Sequence, residues 1–314
     1  MPVKPPAEVD LTTDLVRALL ADQHPDLAVL PLRLVAHGWD NATFRLGDDL
    51  AVRLPRREAA AHLVEHEQRW LPSLAALCPV PVPAPVRIGT PGPRYGWAWS
   101  VVPWVAGAPA ATQPVADRTA WAPALAEALD ALHVPAPAGA PVNPFRGGTL
   151  VGRSVALHER LAAGHLDAAL RSATGPETPV LEARRRVDEL WADALAAPAW
   201  PGPPVWLHGD PHPANLVVAD GHLAGLLDFG DMTAGDPACD LATAWLTFDA
   251  RGRVAFRRRV DALADGRGPL DPGRWRRAAG WALVMASALI THGDDDPVVA
   301  AAGTHAIAEL IAGR

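Results

Sequence analysis

The apolar positions of the first hundred residues change from helical to strand spacing. Apolar residues at 11, 15, 16, 19 and 20 have the period of an amphipathic helix over residues 11–23. Short apolar runs bounded by turn residues then predict strands at 32–35, 43–46, 50–54, 86–88 and 97–102. A second helix is predicted over residues 58–77. The pattern indicates a small antiparallel sheet with one packed helix.

The second predicted helix carries a carboxylate on its apolar face. Its apolar stripe consists of Leu63, Trp70, Leu71 and Leu74. Glu67 falls on that stripe, and a carboxylate that faces inward needs a partner. Arg53, on the third predicted strand, is the basic residue that we expect to pair with it. The alternative is a surface salt bridge at the edge of the helix.

Helical spacing dominates the rest of the chain. Helices are predicted over residues 118–133, 154–170, 179–197, 238–248, 251–264, 272–292 and 297–312. A proline leaves the predicted sheet at position 103 and a proline-rich stretch follows, so we place a domain boundary there. The predicted fold class is α+β in two lobes. A small antiparallel-sheet lobe covers residues 1–102, a hinge covers 103–107, and a larger, mainly helical lobe covers 108–314.

Composition narrows the classes of function. The chain has 314 residues, of which 49% are hydrophobic and 20% charged, as is typical of a soluble globular enzyme. Its net charge of -7 argues against a nucleic-acid partner and slightly favours a cationic small ligand. The chain has only two cysteines, and it shows neither a signal-peptide pattern nor an apolar run long enough to span a membrane. We therefore predict a cytoplasmic protein without a membrane partner. Because Lys4 is the only lysine, a buried phosphate-binding cation must be an arginine.

The candidate chemistry lies in residues 206–216 (WLHGDPHPANL), which read as a strand end, a polar loop and a second strand. Asp210 and Asn215 have the spacing at which phosphoryl-transfer enzymes place an acceptor-orienting base and a metal-binding amide. Asp228, in the following LLDFG segment, is then available for the metal that bridges the nucleotide phosphates. One carboxylate and one amide oxygen are ligands that Mg²⁺ accepts. The spacing therefore predicts a small-molecule kinase.

Two further polar residues are expected to support this loop. His208 precedes a glycine and is interpreted as structural, as is His212. Asp240 lies against the apolar face of the helix at 238–248, where it is expected to accept backbone N–H bonds from the loop. Two alternatives stay open. The H-x-D-x-H pattern of residues 208–212, with Asp228, fits the metal cluster of a hydrolase, and a nucleotide-binding module without catalysis would use the same segments.

Three segments carry a family resemblance: 208–215 (HGDPHPAN), 227–230 (LDFG) and 235–241 (GDPACDL). Together they resemble the aminoglycoside phosphotransferase family, whose members have a protein-kinase-like fold. The likeness extends upstream through residues 38–41, 51–55 and 99–102, so it covers most of the chain. One departure stands out, because Arg53 replaces the usual strand lysine that contacts the α- and β-phosphates. Arginine keeps the charge but differs from lysine in geometry.

The resemblance implies a role for each candidate residue. Asp210 becomes the catalytic base, Asn215 and Asp228 the magnesium ligands, and Asp240 the buried support of the catalytic loop, which His208 is expected to brace as well. The implied nucleotide-binding residues are Gly38, Asn41 and Thr43 of a hairpin loop, Arg53 with Glu67, and Val102 and Trp104 at the hinge. The loop pattern by itself also fits an ordinary turn.

The expected reaction transfers the γ-phosphoryl group of ATP or GTP to a hydroxyl of a small molecule. An aminoglycoside-like or other antibiotic is the leading acceptor. A metabolic acceptor such as choline, a sugar or an amino alcohol is the main alternative, and a metal-dependent hydrolase is a remote one. Only nine residues separate Gly230 from Asp240, which leaves little room for a regulatory activation loop and favours a small acceptor over a protein.

Overall fold

The computed structural model describes residues 6–265, 271–293 and 296–313. Its contacts divide the chain into two compact units. The first unit contains the described residues up to Ala106 together with Gly225–Gly230, and the second contains Gly107–Ala224 and the residues from Asp231 onwards. The segment around Asp228 therefore belongs with the N-terminal residues, although the sequence predicts a C-terminal lobe that is continuous from residue 108.

The first unit is a sheet with two helices. Its elements are α1 Thr13–Gln23, β1 Leu32–His37, β2 Asn41–Leu46, β3 Leu50–Pro55, α2 Glu58–Ala75, β4 Arg87–Gly89 and β5 Trp99–Pro103. The strands pair antiparallel in the order β1-β2-β3-β5-β4, which confirms the predicted sheet. The hydroxyl of Thr12 caps α1 by accepting the N–H of Leu15 at 3.2 Å. The inner face of α1 packs with strand residues such as Phe44 and Val52 into one apolar core.

The second unit is mainly helical, as predicted. It contains β6 Ala108–Pro109, α3 Ala122–Leu132, α4 Ser154–Ala162, α5 Asp167–Thr174, α6 Val180–Leu195, β7 Val205–Leu207, β8 Leu216–Ala219, β9 His222–Leu226 (whose last two residues fall in the first unit), β10 Thr233–Gly235, α7 Ala238–Leu241, α8 Thr243–Thr247, α9 Ala250–Ala264, α10 Arg274–His292 and α11 Pro297–Ala312. The strands form two small sheets, β10-β7 and β6-β8-β9. A two-residue turn with positive φ at Asp220 and Gly221 joins β8 to β9.

Three of the predicted helices are wrong in detail. The one expected over residues 154–170 is broken into α4 and α5, because Gly164 adopts φ +78°, which a right-handed helix cannot include. The helix expected from residue 118 begins as a 3-10 turn at Val115–Trp121 and becomes α-helical only at Ala122. The helix expected over 238–248 consists of two short helices, α7 and α8.

A buried arginine connects α10 to the chain that precedes α7. Arg277 forms ion pairs with Asp236 at 2.6 Å and with Asp271 at 2.7 Å. The backbone N–H of Asp236 in turn donates to the carbonyl of Gly147 at 3.1 Å. The irregular segment around Gly147 is thereby tied to the helical core. No helix within the described ranges has the length and apolar character that crossing a membrane requires.

Candidate active site

The polar loop of residues 208–215 joins β7 to β8 in the second unit. Gly209 makes the first turn of this loop at φ +89°, a left-handed conformation that favours glycine. A Cβ atom at this position would also overlap the backbone of Asp231. The loop therefore passes so close to Asp231 that glycine is needed here.

Asp240 supports the loop as the sequence predicts. Its fully buried carboxylate accepts the backbone N–H of His208 at 2.8 Å and that of Gly209 at 2.9 Å. His133, at the end of α3, places Nε2 at 3.0 Å from the same carboxylate. An ionised carboxylate only accepts hydrogen bonds, so the histidine donates. Three donors thus compensate one buried charge, and two of them set the path of the loop.

Two histidines fasten the loop to itself. The Nδ1 atom of His208 accepts the N–H of Asp210, and Nδ1 of His212 accepts the N–H of Ala214, both at 3.2 Å. An accepting Nδ1 places the proton of a neutral imidazole on Nε2. The Nε2 atom of His212 lies 3.4 Å from Oδ2 of Asp210 and 3.3 Å from Nδ2 of Asn215, so this ring is next to the candidate base.

The Asp210 carboxylate is held at both of its oxygens. Oδ1 lies 3.1 Å from Nη2 of Arg146, and Oδ2 faces His212. Burial by itself would raise the pKa of Asp210, but the charge of Arg146, followed by His212 and His208, outweighs it and lowers that pKa below its ordinary value. The group is therefore ionised at neutral pH, which is the state that a base requires.

Asn215 is oriented by the same loop. Its Nδ2 atom donates to the backbone carbonyl of Asp210 at 3.0 Å, and its backbone N–H donates to the carbonyl of His212 at 2.8 Å. Because the amide nitrogen points at a carbonyl, Oδ1 is the side-chain atom that offers lone pairs to a cation. The structure thus places Asp210, Asn215, His208 and Asp240 in one connected group, as the spacing of the motif predicts.

Arg146 is the residue of this group that the sequence does not predict. It lies in a turn-rich segment without periodicity, 64 positions before Asp210 along the chain. The two glycines that follow it are the one local sign, since Gly147 has φ +69° and a Cβ there would press against Leu207. Such a glycine indicates a close backbone approach, but it does not say which side chain the turn delivers.

The first unit contains the second group of candidates. Nη1 of Arg53 lies 2.9 and 3.0 Å from the two carboxylate oxygens of Glu67, and Nη2 lies 3.2 Å from Oδ1 of Asp228. Arg53 and Glu67 are buried, with side-chain exposures of 9% and 2%, whereas Asp228 is 55% exposed. The predicted pairing of Arg53 with Glu67 is confirmed, and the alternative of a surface salt bridge is wrong.

The electrostatics of this group keep it charged. Burial would lower the pKa of Arg53, but Glu67 and Asp228 outweigh it and raise that pKa above its ordinary value. Burial raises the pKa of Glu67, while Arg53 counteracts the rise. Because an arginine does not lose its proton in proteins, the contact is an ion pair. Asp228 adopts φ +59°, a conformation that aspartate tolerates better than most residues.

The candidate nucleotide loop is a tight turn at residues 38–40 between β1 and β2. Gly38 donates its N–H to the carbonyl of Asn41 at 2.8 Å, and Arg56 donates to the carbonyl of Gly38 at 3.0 Å. The side chain of Asn41 is buried, and its Oδ1 has no hydrogen-bond partner within the described part of the chain. Thr43 lies opposite Arg53 in the sheet register, which places it beside the buried ion pair.

The candidate hinge follows β5. Val102 is buried in the sheet, where it pairs with Ala51. Trp104 donates its backbone N–H to Asp49 at 2.7 Å, and its ring stacks against the guanidinium of Arg45 at 4.1 Å. The two predicted apolar walls are therefore held on the sheet of the first unit.

The predicted residues thus form two groups, one in each unit. Over the described residues, no set of three or more His, Cys, Asp or Glu side chains is arranged to hold a metal ion. The histidine cluster expected for the hydrolase alternative is therefore not formed in that part of the chain.

Comparison with known proteins identifies the family and the fold. A model of the phosphotransferase enzyme family matches residues 31–281, whereas no curated protein sequence matches the chain. The GDP complex of wild-type aminoglycoside 2'-phosphotransferase-IIIa is 20% identical, with a TM-score of 0.67 over 96% of this chain and 99% of that one. Macrolide 2'-phosphotransferase MphH from Brachybacterium faecium is 23% identical, with a TM-score of 0.58 over 94% and 98%.

A third similar structure is the ternary complex of streptomycin, ATP and APH(2")-IIa, which is 19% identical with a TM-score of 0.54 over 92% and 93% of the two chains. At these identities the solved structures show the fold, and the α+β, protein-kinase-like prediction is confirmed. The family match covers most of the sequence, including the loop of Asp210 and the segment of Asp228. The chain therefore belongs to the phosphotransferase enzyme family and is a nucleotide-dependent phosphotransferase that acts on a hydroxyl group.

Proposed function

We propose that this enzyme transfers the γ-phosphoryl group of ATP or GTP to a hydroxyl of a small-molecule antibiotic, with Asp210 as the catalytic base. One observation carries the proposal. Asp210 is an ionised carboxylate on a loop whose backbone is held by the buried Asp240. A phosphoryl-transfer site works mainly by positioning and charge stabilisation, which is what a rigid, charged loop supplies.

In the proposed reaction the acceptor hydroxyl donates a hydrogen bond to Asp210. Its oxygen attacks the γ-phosphorus in line, and the bond from that phosphorus to the β,γ-bridging oxygen breaks. The nucleoside diphosphate leaves with the electron pair of the broken bond, and Asp210 takes the hydroxyl proton late in the step. Asn215 contributes by holding the backbone carbonyl of Asp210 in place.

The nucleotide is assigned to the N-terminal lobe over residues 1–102 and the hinge at 103–107. Arg53 is the proposed cation for the α- and β-phosphates, and Glu67 orients it through the buried ion pair. The remaining proposed contacts are Gly38, Asn41 and Thr43 for the phosphates and Val102 and Trp104 for the base.

Asn215 and Asp228 are the residues that would hold Mg²⁺, and their chemistry fits it. Both offer hard oxygen donors, the amide oxygen of Asn215 and the exposed carboxylate of Asp228. When bound, the ion would neutralise charge on the nucleotide phosphates. Asp228 is available because Arg53 contacts only one of its oxygens, Oδ1.

An aminoglycoside is the leading acceptor. Structures similar to this one include complexes described with kanamycin, streptomycin and gentamicin. The net charge of -7 agrees with a cationic acceptor. The short connection between Gly230 and Asp240 agrees with a small one.

A macrolide-like acceptor is the second candidate, and a local cluster of charge favours it. The pKa of Arg160 is lowered first by burial and then by the positive charges of Arg146 and Arg153. Arg153 also covers the exposed ring of Phe145, with 5.5 Å between the guanidinium carbon and the ring centroid. Arg146, which contacts Asp210, forms with Arg153 and Arg160 a positive cluster that repels a polycation, whereas an exposed aromatic surface suits an apolar ring. Two of the similar structures are macrolide 2'-phosphotransferases.

A nucleotide-consumption screen tests the proposal. ATP and GTP with Mg²⁺ are offered in turn with kanamycin, gentamicin, streptomycin, a macrolide, choline and a set of sugars, and the phosphorylated hydroxyl is located by NMR. Turnover of an antibiotic supports the proposal. Turnover of choline or a sugar alone assigns a metabolic kinase instead.

Two variants test the residue roles. Asp210→Asn keeps the size of the side chain and is expected to lower kcat by about 10²- to 10⁴-fold, and full activity would refute the base assignment. Asp228→Asn is expected to weaken Mg²⁺-dependent nucleotide binding in calorimetry. A requirement for zinc in place of magnesium would support the hydrolase alternative.

A further inference from the structure

Arg146 lies between two carboxylates in the second unit. Its Nη2 atom is 3.1 Å from Oδ1 of Asp210 and 3.3 Å from Oδ2 of Asp231, and its side chain is only 15% exposed. A buried cation that is shared by two acids has one stable place, because moving it would leave buried charge uncompensated.

The backbone around Arg146 is fixed on both sides. Asn143 donates through Nδ2 to Oδ1 of Asp231 at 2.7 Å, and its own N–H donates to Thr233 Oγ1 at 3.0 Å. The carbonyl of Gly147 accepts the N–H of Asp236 at 3.1 Å. The turn that carries Arg146 is therefore bound to the chain that follows Asp231. A side chain delivered by such a turn is already in position before any substrate binds.

The consequence for Asp210 is a fixed orientation. Arg146 donates to Oδ1, and Nε2 of His212 lies 3.4 Å from Oδ2, so the two ends of the carboxylate have different neighbours. Rotation of the carboxylate about its bond to Cβ would break both contacts. Asp231 shares the charge of Arg146, so that the arginine holds Asp210 without fully neutralising it.

We infer that Arg146 is a positioning residue, which holds the Asp210 carboxylate in the orientation that accepts the acceptor hydroxyl, while Asp231 holds Arg146. The inference rests on the proposed function, because it requires Asp210 to be the base. A purely structural ion pair would affect stability. A positioning residue affects kcat in a protein that remains folded.

The test compares Arg146→Ala with a matched control, Arg184→Ala. Arg184 also pairs with an aspartate, Asp167, at 2.7 Å, but it lies on α6 away from the loop of Asp210. Turnover of Mg²⁺-ATP and Mg²⁺-GTP is measured with the acceptor that the screen identifies, or with water as acceptor if none is phosphorylated. We expect Arg146→Ala to lower kcat by about 10²-fold, the size of effect that a misplaced reactive group produces, with the nucleotide KM within about twofold. Arg184→Ala should keep the kcat of the unaltered enzyme.

Chemical rescue separates positioning from structure. Added guanidinium ion, at concentrations too low to unfold the protein, should restore part of the activity of Arg146→Ala and none of that of Asp210→Asn. Loss of activity that guanidinium does not restore, together with a lower Tm, would assign Arg146 to structure alone and overturn the inference. An unchanged kcat in Arg146→Ala would also overturn it.

A second variant covers the case in which Arg146→Ala does not fold. Arg146→Lys keeps the charge but not the forked geometry, and it should lower kcat by about tenfold with little change in Tm. A kcat equal to that of the unaltered enzyme would overturn the inference. The proposed function has its own test, because full activity of Asp210→Asn would refute the role of Asp210 as the base. If Asp210→Asn is inactive and Arg146→Lys is fully active, only the role of Arg146 is refuted.

Discussion

Asp240 allows the sharpest prediction about stability. Replacing it with alanine removes the acceptor of two buried backbone N–H groups, those of His208 and Gly209, and the partner of His133. A buried donor that loses its partner costs about 1–3 kcal/mol. The two N–H groups together predict that Asp240→Ala lowers the free energy of unfolding by about 4 kcal/mol, a large part of the 5–15 kcal/mol typical of a folded protein.

The measurement is urea unfolding followed by tryptophan fluorescence, with Tm from calorimetry. A loss of this size should lower Tm by about 10 °C, at about 2–4 °C per kcal/mol. Asp240→Asn should lie between alanine and the natural residue, because its amide keeps one acceptor oxygen but turns an N–H₂ group toward the second backbone N–H.

Asp193→Ala is the matched control for this prediction. Asp193 is half exposed and pairs with Arg276 at 2.9 Å on the surface, so its loss should cost less than about 1 kcal/mol. If Asp240→Ala destabilised the protein no more than Asp193→Ala, the buried carboxylate would not be what holds the loop.

Three further predictions concern other parts of the fold. Gly209→Ala should destabilise the protein by more than about 2 kcal/mol in urea unfolding, because it adds an overlap to the strain of a positive φ. Gly221→Ala has the same sign of φ in open space and should cost about 1 kcal/mol. Glu67→Ala leaves the buried Arg53 without its main partner and should lower the free energy of unfolding by about 3–5 kcal/mol. Glu65 is exposed, so Glu65→Ala should lower it by less than about 0.5 kcal/mol. Similar losses in the two variants would contradict the buried pair. Burial lowers the pKa of His305 below 6.5, so the unfolded chain binds a proton that the native state does not, and stability is lost as the pH falls below about 6.5. His305→Gln should make the fall in unfolding free energy between pH 7 and pH 5 shallower, and an unchanged slope would count against a neutral buried histidine.

The pairing of Arg53 with Glu67 is a contact that local sequence patterns predict correctly. Strand alternation predicts which face Arg53 occupies, and helical phase predicts that Glu67 faces inward, so a buried pair follows from two periodicities. Asp240 followed in the same way from its place beside an apolar helix face. Arg53 and Asp228 are also in contact, but they lie 175 positions apart in the chain, and no local sequence pattern predicts that contact.

Where the prediction failed, a single residue interrupted a regular pattern. The segment of residues 154–170 has helical spacing throughout, yet Gly164 takes a positive φ and the chain turns between α4 and α5. Spacing records which side of an element is apolar, but it does not record where the backbone must change direction to pack on distant helices. Past Gly164 the N–H of His165 donates to the carbonyl of Arg160 at 3.1 Å, so a glycine cap ends α4.

By itself, the sequence determined the chemistry and the class of fold. The five-residue spacing of Asp210 and Asn215 is covalent, so any structure that forms the loop brings those two side chains to one place. Only the tertiary structure decided what surrounds them. Arg146 reaches Asp210 across 64 positions, and Asp240 reaches the loop across about half that distance. Charges at such separations interact only after the chain has folded, and these are the contacts that orient the carboxylate and keep it ionised.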